Sequence, residues 1–220
     1  MNSVEEITVH QNGRSIDPIG LMFLPFKKLD KFQPIYTQGD LANKLFMVKS
    51  GSVKLLEMSE SGDQVIQDIK TEGEIFGDWD ALFNSGVYFK NSAITLSDNT
   101  EIHCLKLSEI FFENLSKTRD GLSRLVLEEY KKLSIRHQRL LTNDAAYRIK
   151  EILLSLAQRA GQKFGDETLV KIWLSHEDIS KLADTSRQTV TSVMNELKKK
   201  SKIKYSRDRI LFRSLSNFHS

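Results

Sequence analysis

The residues best placed to do chemistry lie between Trp173 and Lys200, and the chemistry they offer is recognition of nucleic acid rather than bond breaking. Arg187, Gln188, Thr191, Ser192 and Asn195 recur on one side of a helical pattern, and each can hydrogen-bond to base edges or phosphates in a major groove. A helix that presents them needs an apolar opposite side, which Val190, Val193, Met194 and Leu197 supply at spacings of three, one and three. Thr185 or Ser186 is the cap that starts it. A shorter helix precedes: Ser175 is its cap, Asp178 stands three residues on in a near capping-box position, and Ile179 and Leu182 form its apolar face. Two short helices separated by three or four residues around Asp184 predict a helix-turn-helix, with the polar residues at the start of the second helix, the end that enters the groove. The same periodicity fits an ordinary helix pair in an α-rich domain, and charge separates the two readings.

From Lys198 to Arg213 there are eight basic residues against the single acid Asp208. Within that run Ile203 to Tyr205 and Arg209 to Phe212 predict two strands around a Ser206-Arg207-Asp208 turn, a basic wing suited to a sugar-phosphate backbone. The asymmetry extends over the whole chain of 220 residues: Asn143 to Ser220 carries 15 Lys and Arg against 9 Asp and Glu, a net +6, while residues 1–142 hold 17 against 20, a net −3. One part seeks polyanions and the other does not.

Other chemistries find no candidates. The five histidines (His10, His103, His137, His176, His219) are scattered without ligand spacing, so surface or packing roles and no metal site are expected. A lone Cys104 excludes an intrachain disulfide, and neither an iron-sulfur cluster nor haem is expected. The sequence has no G-x-S-x-G, Walker or G-x-G-x-x-G pattern, and no catalytic residue is assigned. With no apolar run near 18 residues and no hydrophobic signal region, a soluble cytoplasmic protein with no membrane partner is expected.

The elements that must carry this reader begin at Leu21. Short β-like runs, Leu45 to Val48, Val53 to Leu56, Val65 to Ile69, Ser92 to Leu96 and Glu101 to Leu107, are set off by Ser50-Gly51-Ser52, Ser61-Gly62-Asp63 and Ser97-Asp98-Asn99. That turn frequency predicts an antiparallel β-barrel or jelly roll, filled by Phe23, Phe26, Phe32, Phe46, Phe76, Trp79 and Phe83. Before it, Ile7, Val9 and Gly13 suggest a small hairpin or loose arm.

From Ser108 to Leu141 the pattern is helical, with a short segment from Ile110 to Leu115 and a break near Asp120-Gly121. Val126, Tyr130, Leu133, His137 and Leu140 then form a heptad seam, flanked by Leu127 and Leu141, that predicts contact with an identical helix of a second copy as well as with the barrel. Asp144 caps the next helix, Ala145 to about Arg159, and is the expected hinge. A loop from Gly161 to Gly165 and a strand from Thr168 to Trp173 lead back to the helix-turn-helix. The fold class is therefore α+β, divided as 1–107 (arm and effector-sensing β-barrel), 108–142 (linker and dimerisation helix) and 143–220 (winged helix-turn-helix).

The order of these parts resembles the Crp/Fnr family of transcription regulators. Gln38-Gly39-Asp40 with Leu45-Phe46-Met47-Val48-Lys49-Ser50-Gly51-Ser52-Val53-Lys54-Leu55 is similar to the family's early barrel hairpin. Gly73-Glu74-Ile75-Phe76-Gly77-Asp78, followed by Leu82-Phe83 and Ser92-Ala93, is similar to its phosphate-binding cassette, and Ser186-Arg187-Gln188-Thr189-Val190 to the start of its recognition helix. The resemblance implies a homodimer that reads near-palindromic double-stranded DNA with helices about 34 Å apart, under control of an effector in the barrel. It implies base reading by Arg187, Gln188, Thr191 and Ser192, and phosphate contacts from Ser186, Thr189, Lys199, Lys202, Lys204 and Arg209. It also implies an effector pocket at Gly77, Asp78, Asn91, Ser92 and Tyr130, and a polymerase contact on the Gln158 to Glu167 segment.

The departures are informative. Cyclic-nucleotide binders of the family place Arg-Ser on the cyclic phosphate and Glu on the ribose, whereas this chain has Asn91-Ser92 and Asp78. Losing a charge-assisted guanidinium pair costs roughly 2–5 kcal/mol, which disfavours cyclic AMP and leaves the effector unidentified. Lys90 is a candidate substitute charge, although as the strand neighbour of Asn91 it would face the other way. Ser192 stands where the family usually has arginine, so the family's operator consensus does not transfer. The alternative reading is a cyclic-nucleotide-binding or scaffold module whose basic tail contacts RNA or membrane phosphates without sequence preference.

Overall fold

The computed structural model describes residues 10–11, 14–16, 22–110, 115–216 and 218. Among the described residues, alternating apolar residues and positive-φ turns build ten strands in the N-terminal half: β1 (His10–Gln11), β2 (Arg14–Ile16), β3 (Met22–Leu29), β4 (Pro34–Tyr36), β5 (Lys44–Ser50), β6 (Ser52–Met58), β7 (Gln64–Thr71), β8 (Ile75–Gly77), β9 (Ser92–Thr95) and β10 (Thr100–Lys106). Gly51 joins β5 to β6 at φ +93°, and a Cβ there would lie 2.6 Å from the Thr100 hydroxyl, so only glycine fits. The strands pair antiparallel in two sheets, β1-β2-β3-β10-β5-β8 and β4-β9-β6-β7. The sheets are not closed into a barrel, and of the two architectures expected the jelly roll describes them. Leu45, Phe46, Val48, Val53, Phe76, Ala93 and Ile102 fill the space between them. Of the aromatic residues expected in this core Phe46 and Phe76 are buried, whereas Phe83 is 74% exposed and Phe32 49%.

The arm hairpin forms in part as β1 and β2, while Ile7, Val9 and Gly13 lie outside the described residues. The expected break near Gly121 does not occur: after α1 (Leu107–Ile110), α2 runs continuously as Leu115–Thr142. Gly121 is buried within it, so packing offsets the roughly 1 kcal/mol that glycine costs a helix. Asn143 and Asp144 end α2, and the Asp144 carboxylate accepts from Tyr147 N at 2.7 Å to open α3 (Ala145–Ala160).

The C-terminal part has its own four-stranded sheet, β11-β12-β14-β13. The segment after α3 is a hairpin, β11 (Gly161–Phe164) with β12 (Glu167–Val170), not a loop followed by a strand reaching Trp173. Gly161 pairs with Val170, and a Cβ at Gly161 would sit 2.1 Å from Ala157 O. Then come α4 (His176–Leu182), α5 (Arg187–Lys199), β13 (Ile203–Ser206) and β14 (Arg209–Phe212). Their core includes Ile149, Leu153, Leu156, Ile179, Val190, Met194, Leu197 and Phe212. Ile66, Ile69 and Leu96 of the jelly roll join the same cluster, so the two halves share apolar contact.

Candidate nucleic-acid interface and effector cavity

Reciprocal hydrogen bonds start α4: Ser175 Oγ accepts from Asp178 N at 3.0 Å and the Asp178 carboxylate accepts from Ser175 N at 2.9 Å, a complete capping box. The turn to α5 places Asp184 at φ +48°, a left-handed conformation that aspartate tolerates better than most residues. Arg148 of α3 holds that turn, donating to Ala183 O at 2.9 Å and Asp184 O at 3.0 Å, carbonyls the helix end leaves without internal partners. Ser186, rather than Thr185, caps α5, its hydroxyl accepting from Thr189 N at 3.0 Å.

Val190, Val193, Met194 and Leu197 are all buried. That fixes the rotation of α5 and leaves Arg187, Gln188, Ser192 and Asn195 exposed together, with Thr189 and Thr191 half-buried. None of the exposed four is covered by the jelly roll. Thr191 Oγ1 lies 2.9 Å from Arg187 O and 2.9 Å from His176 Nδ1. The wing is a hairpin with Arg207 and Asp208 at its tip, one residue tighter than the expected turn because Ser206 pairs with Arg209. Lys199, Lys204 and Arg209 are exposed, and Lys202 is half-buried with Nζ 3.4 Å from Phe218 O. Arg209 pairs with Asp208 at 2.8 Å, and hydrogen bonds from Arg209 and Ser206 hold the Asp208 carboxyl well below the usual range.

This unit is fastened to the jelly roll. Lys54 of β6 reaches Asp178 at 2.7 Å, Trp173 N lies 3.4 Å from Leu96 O, and the Phe32 and Trp173 rings meet edge-on with centroids 5.6 Å apart. Burial alone would raise the Asp178 carboxyl, but hydrogen bonds from Lys54 and Ser175 outweigh it and hold the group below its ordinary value. Arg136 of α2 donates to Gln67 O on β7 and approaches Leu182 O at the end of α4 at 3.4 Å.

A cavity of about 830 Å³ lies between β7, β8, α2 and α3. It brings together Gly77, Asp78, Asn91 and Tyr130; Ser92 does not line it. Each polar member that would read a cyclic phosphate or ribose already has an internal partner. Asn91 Oδ1 accepts from the Tyr36 hydroxyl at 2.8 Å, and Asn91 Nδ2 donates to Gln67 Oε1 at 2.7 Å. Ser92 Oγ accepts from Gln38 N at 2.9 Å, and Asp78 accepts from Asp80 N at 3.0 Å, capping the 3-10 turn Trp79–Leu82. Burial, and after it the Asp78 charge, push the Tyr36 hydroxyl far above the usual phenol range, so it remains a donor. Lys90 precedes β9, so strand alternation does not govern it; it lines the cavity edge, 3.9 Å from Asp80. Lys70, 2% exposed, keeps its charge against burial through Asp68 at 3.1 Å and Glu129 at 2.8 Å.

The predicted seam residues Tyr130, Leu133 and His137 are exposed in the single chain, and Val126 and Leu140 are half-buried. Leu125, offset from that stripe, packs on the jelly-roll core.

Comparison with known proteins matches the two halves separately. Residues 26–119 fit the cyclic nucleotide-binding domain and residues 147–217 the Crp-like helix-turn-helix domain. The chain belongs to the Crp/Fnr family of DNA-binding transcription regulators. Among its relatives are the cyclic AMP receptor protein of Thermus thermophilus, 26% identical over 75% of this chain and 73% of that protein, and the global nitrogen regulator of Synechococcus elongatus, 24% identical over 87% and 86%. The solved structure of FixK2 from Bradyrhizobium japonicum has the same fold, with a TM-score of 0.72 at 19% identity over 90% of this chain and 96% of that one. Among the described residues no helix is long and apolar enough to cross a membrane.

Within this Crp/Fnr frame, sequence reasoning missed Lys54, Arg136, Arg148, His176 and Tyr205. Lys54 and Arg136 act across 124 and 46 residues of chain, and no periodicity reports such pairings. His176 had a usable signal, since it follows a capping serine at the first position of a helix that packs on the reader.

Proposed function

We propose that the chain acts as a homodimer on near-palindromic double-stranded DNA, each copy inserting α5 into a major groove. The observation that carries this reading is the exposed Arg187, Gln188 and Ser192 face beside a basic wing, held outward by four buried apolar residues. Arg187 reads a guanine through its two-pronged donor, and Gln188 favours adenine. Ser192 offers a short contact at a third position. Ser186 and Thr189 contact phosphate, and Lys199, Lys202, Lys204 and Arg209 supply the sequence-independent attraction. Lys202 and Arg209 contribute less than exposed Lys199 and Lys204, because each already has a protein partner.

The open Tyr130, Leu133 and His137 stripe on α2 is the surface that a second copy covers, and the Asp144 cap is the hinge between 108–142 and the reader at 143–220. The jelly roll, 1–107, senses the effector. Asn91, standing where a guanidinium would be and paired internally at both amide atoms, favours an effector other than a cyclic nucleotide, since a cyclic phosphate would gain no guanidinium there. The exposed tip of the β11–β12 hairpin, with Phe164 54% exposed, is the surface available to RNA polymerase.

Titrating labelled near-palindromic duplex against random duplex at one fixed salt concentration tests the reading. At least a hundredfold preference is expected; equal affinity would replace sequence reading with a basic tail that binds any polyanion. Native mass spectrometry of the purified protein checks the dimer and retains any co-purified effector.

A further inference from the structure

Thr191 sits on the reading face of α5, yet its hydroxyl is already engaged on both sides. A hydroxyl has one hydrogen. The 2.9 Å contact from Thr191 Oγ1 to Arg187 O joins two oxygens, and a carbonyl cannot donate, so that hydrogen lies on the Arg187 side. The 2.9 Å contact to His176 Nδ1 then requires the imidazole to donate, which fixes Nδ1 as the protonated nitrogen. The His176 ring also packs on Tyr205 of β13, centroids 5.5 Å apart, and the Tyr205 hydroxyl is directed at Asn195 of α5 at 3.5 Å. His176 thus touches both the recognition helix and the wing.

We propose that His176 is a positioning residue for base recognition: it holds the Thr191 hydroxyl inward, so that Thr191 meets DNA through its methyl group alone. This rests on the proposed entry of α5 into the major groove and narrows it, because one of the four candidate base readers loses its hydrogen-bonding role. A methyl group on that face suits an apolar neighbour such as the thymine methyl and cannot discriminate by donor and acceptor pattern. Half-burial and, after it, the Arg187 charge hold the His176 imidazole below its ordinary value, so the neutral ring with Nδ1–H is the resident form near neutral pH.

The test is affinity selection from a library of randomised half-sites with four proteins: wild type, Thr191→Val, His176→Ala and His176→Asn. Thr191→Val keeps the shape and removes the hydroxyl, so its base preferences should stay within about twofold of wild type at every position. His176→Ala frees the hydroxyl and should change preference at the facing base pair about fivefold or more. His176→Asn, whose amide nitrogen falls near the Nδ1 position, should restore the wild-type profile, and the His176→Ala change should vanish when combined with Thr191→Val. A loss of discrimination in Thr191→Val, or an unchanged profile in His176→Ala, overturns the assignment. Long-range nitrogen-15 correlation spectra of the DNA-free protein supply an independent reading: Nδ1–H is expected, and a neutral ring protonated on Nε2 would make Nδ1 the acceptor and overturn the assignment. If wild type selects no two-fold-symmetric motif, the groove-binding reading fails, while the spectra still decide the role of His176.

Discussion

Replacing Lys54 with methionine removes an ammonium group from the 2.7 Å contact that fastens α4 to β6. The two side chains are 18% and 14% exposed, so the pair lies between exposed bridges, worth about 0–1 kcal/mol, and buried ones, whose breaking costs about 3–5 kcal/mol. The Asp178 carboxylate keeps its bonds from Ser175 N and Oγ, which limits the loss to about 2 kcal/mol, a factor of about 30 in the equilibrium between docked and released readers. Urea unfolding of Lys54→Met, combined with Asp178→Asn in a double-mutant cycle, isolates that coupling. Amide exchange over 173–182 should accelerate in parallel. The sign with pH is fixed: the folded carboxyl is depressed, so the contribution is complete above the unfolded value of about 3.9 and is lost as pH falls through the folded one. The difference between wild type and Lys54→Met should therefore shrink below about pH 4. A coupling under about 0.5 kcal/mol, with unchanged exchange over 173–182, would refute this latch.

Arg187→Ala should lose discrimination at one base pair per half-site by about 10- to 100-fold, read from competition with single-pair variants of the selected site. Lys204→Ala should instead weaken every duplex similarly and reduce the slope of log affinity against log salt by about one, measured by fluorescence anisotropy across a salt series. Leu133→Glu, placing a charge in the middle of the open α2 stripe, should shift the protein to monomer in analytical ultracentrifugation while leaving far-ultraviolet circular dichroism intact, because Leu133 is 65% exposed in the single chain.

The helix-turn-helix was legible because local rules determine it. The Ser175-to-Asp178 box, the Ser186 cap and the Val190, Val193, Met194 and Leu197 stripe all act within a few residues of themselves, and the structure has all three. The β5–β6 hairpin was legible for the same reason, since Ser50-Gly51-Ser52 separates two apolar runs and Gly51 takes the positive φ of the turn between them. Where tertiary contact outweighed local preference, the sequence misled: buried Gly121 reads as a break, and Gly161 to Gly165 as a loop when Gly161–Phe164 pairs with β12. Lys90 was misjudged because β9 begins two residues later. The Tyr36, Asn91 and Gln67 chain was out of reach, because its members are brought together across 55 and 24 residues only by sheet register.

Footprinting of a selected duplex at single-nucleotide resolution bears most directly on whether this molecule reads DNA as a symmetric pair. Two protected half-sites with centres about 10 base pairs apart, related by a dyad and both altered by Arg187→Ala, are what the exposed α5 face and the open α2 stripe require. A single uninterrupted footprint that moves with DNA length and ignores Arg187→Ala would contradict it.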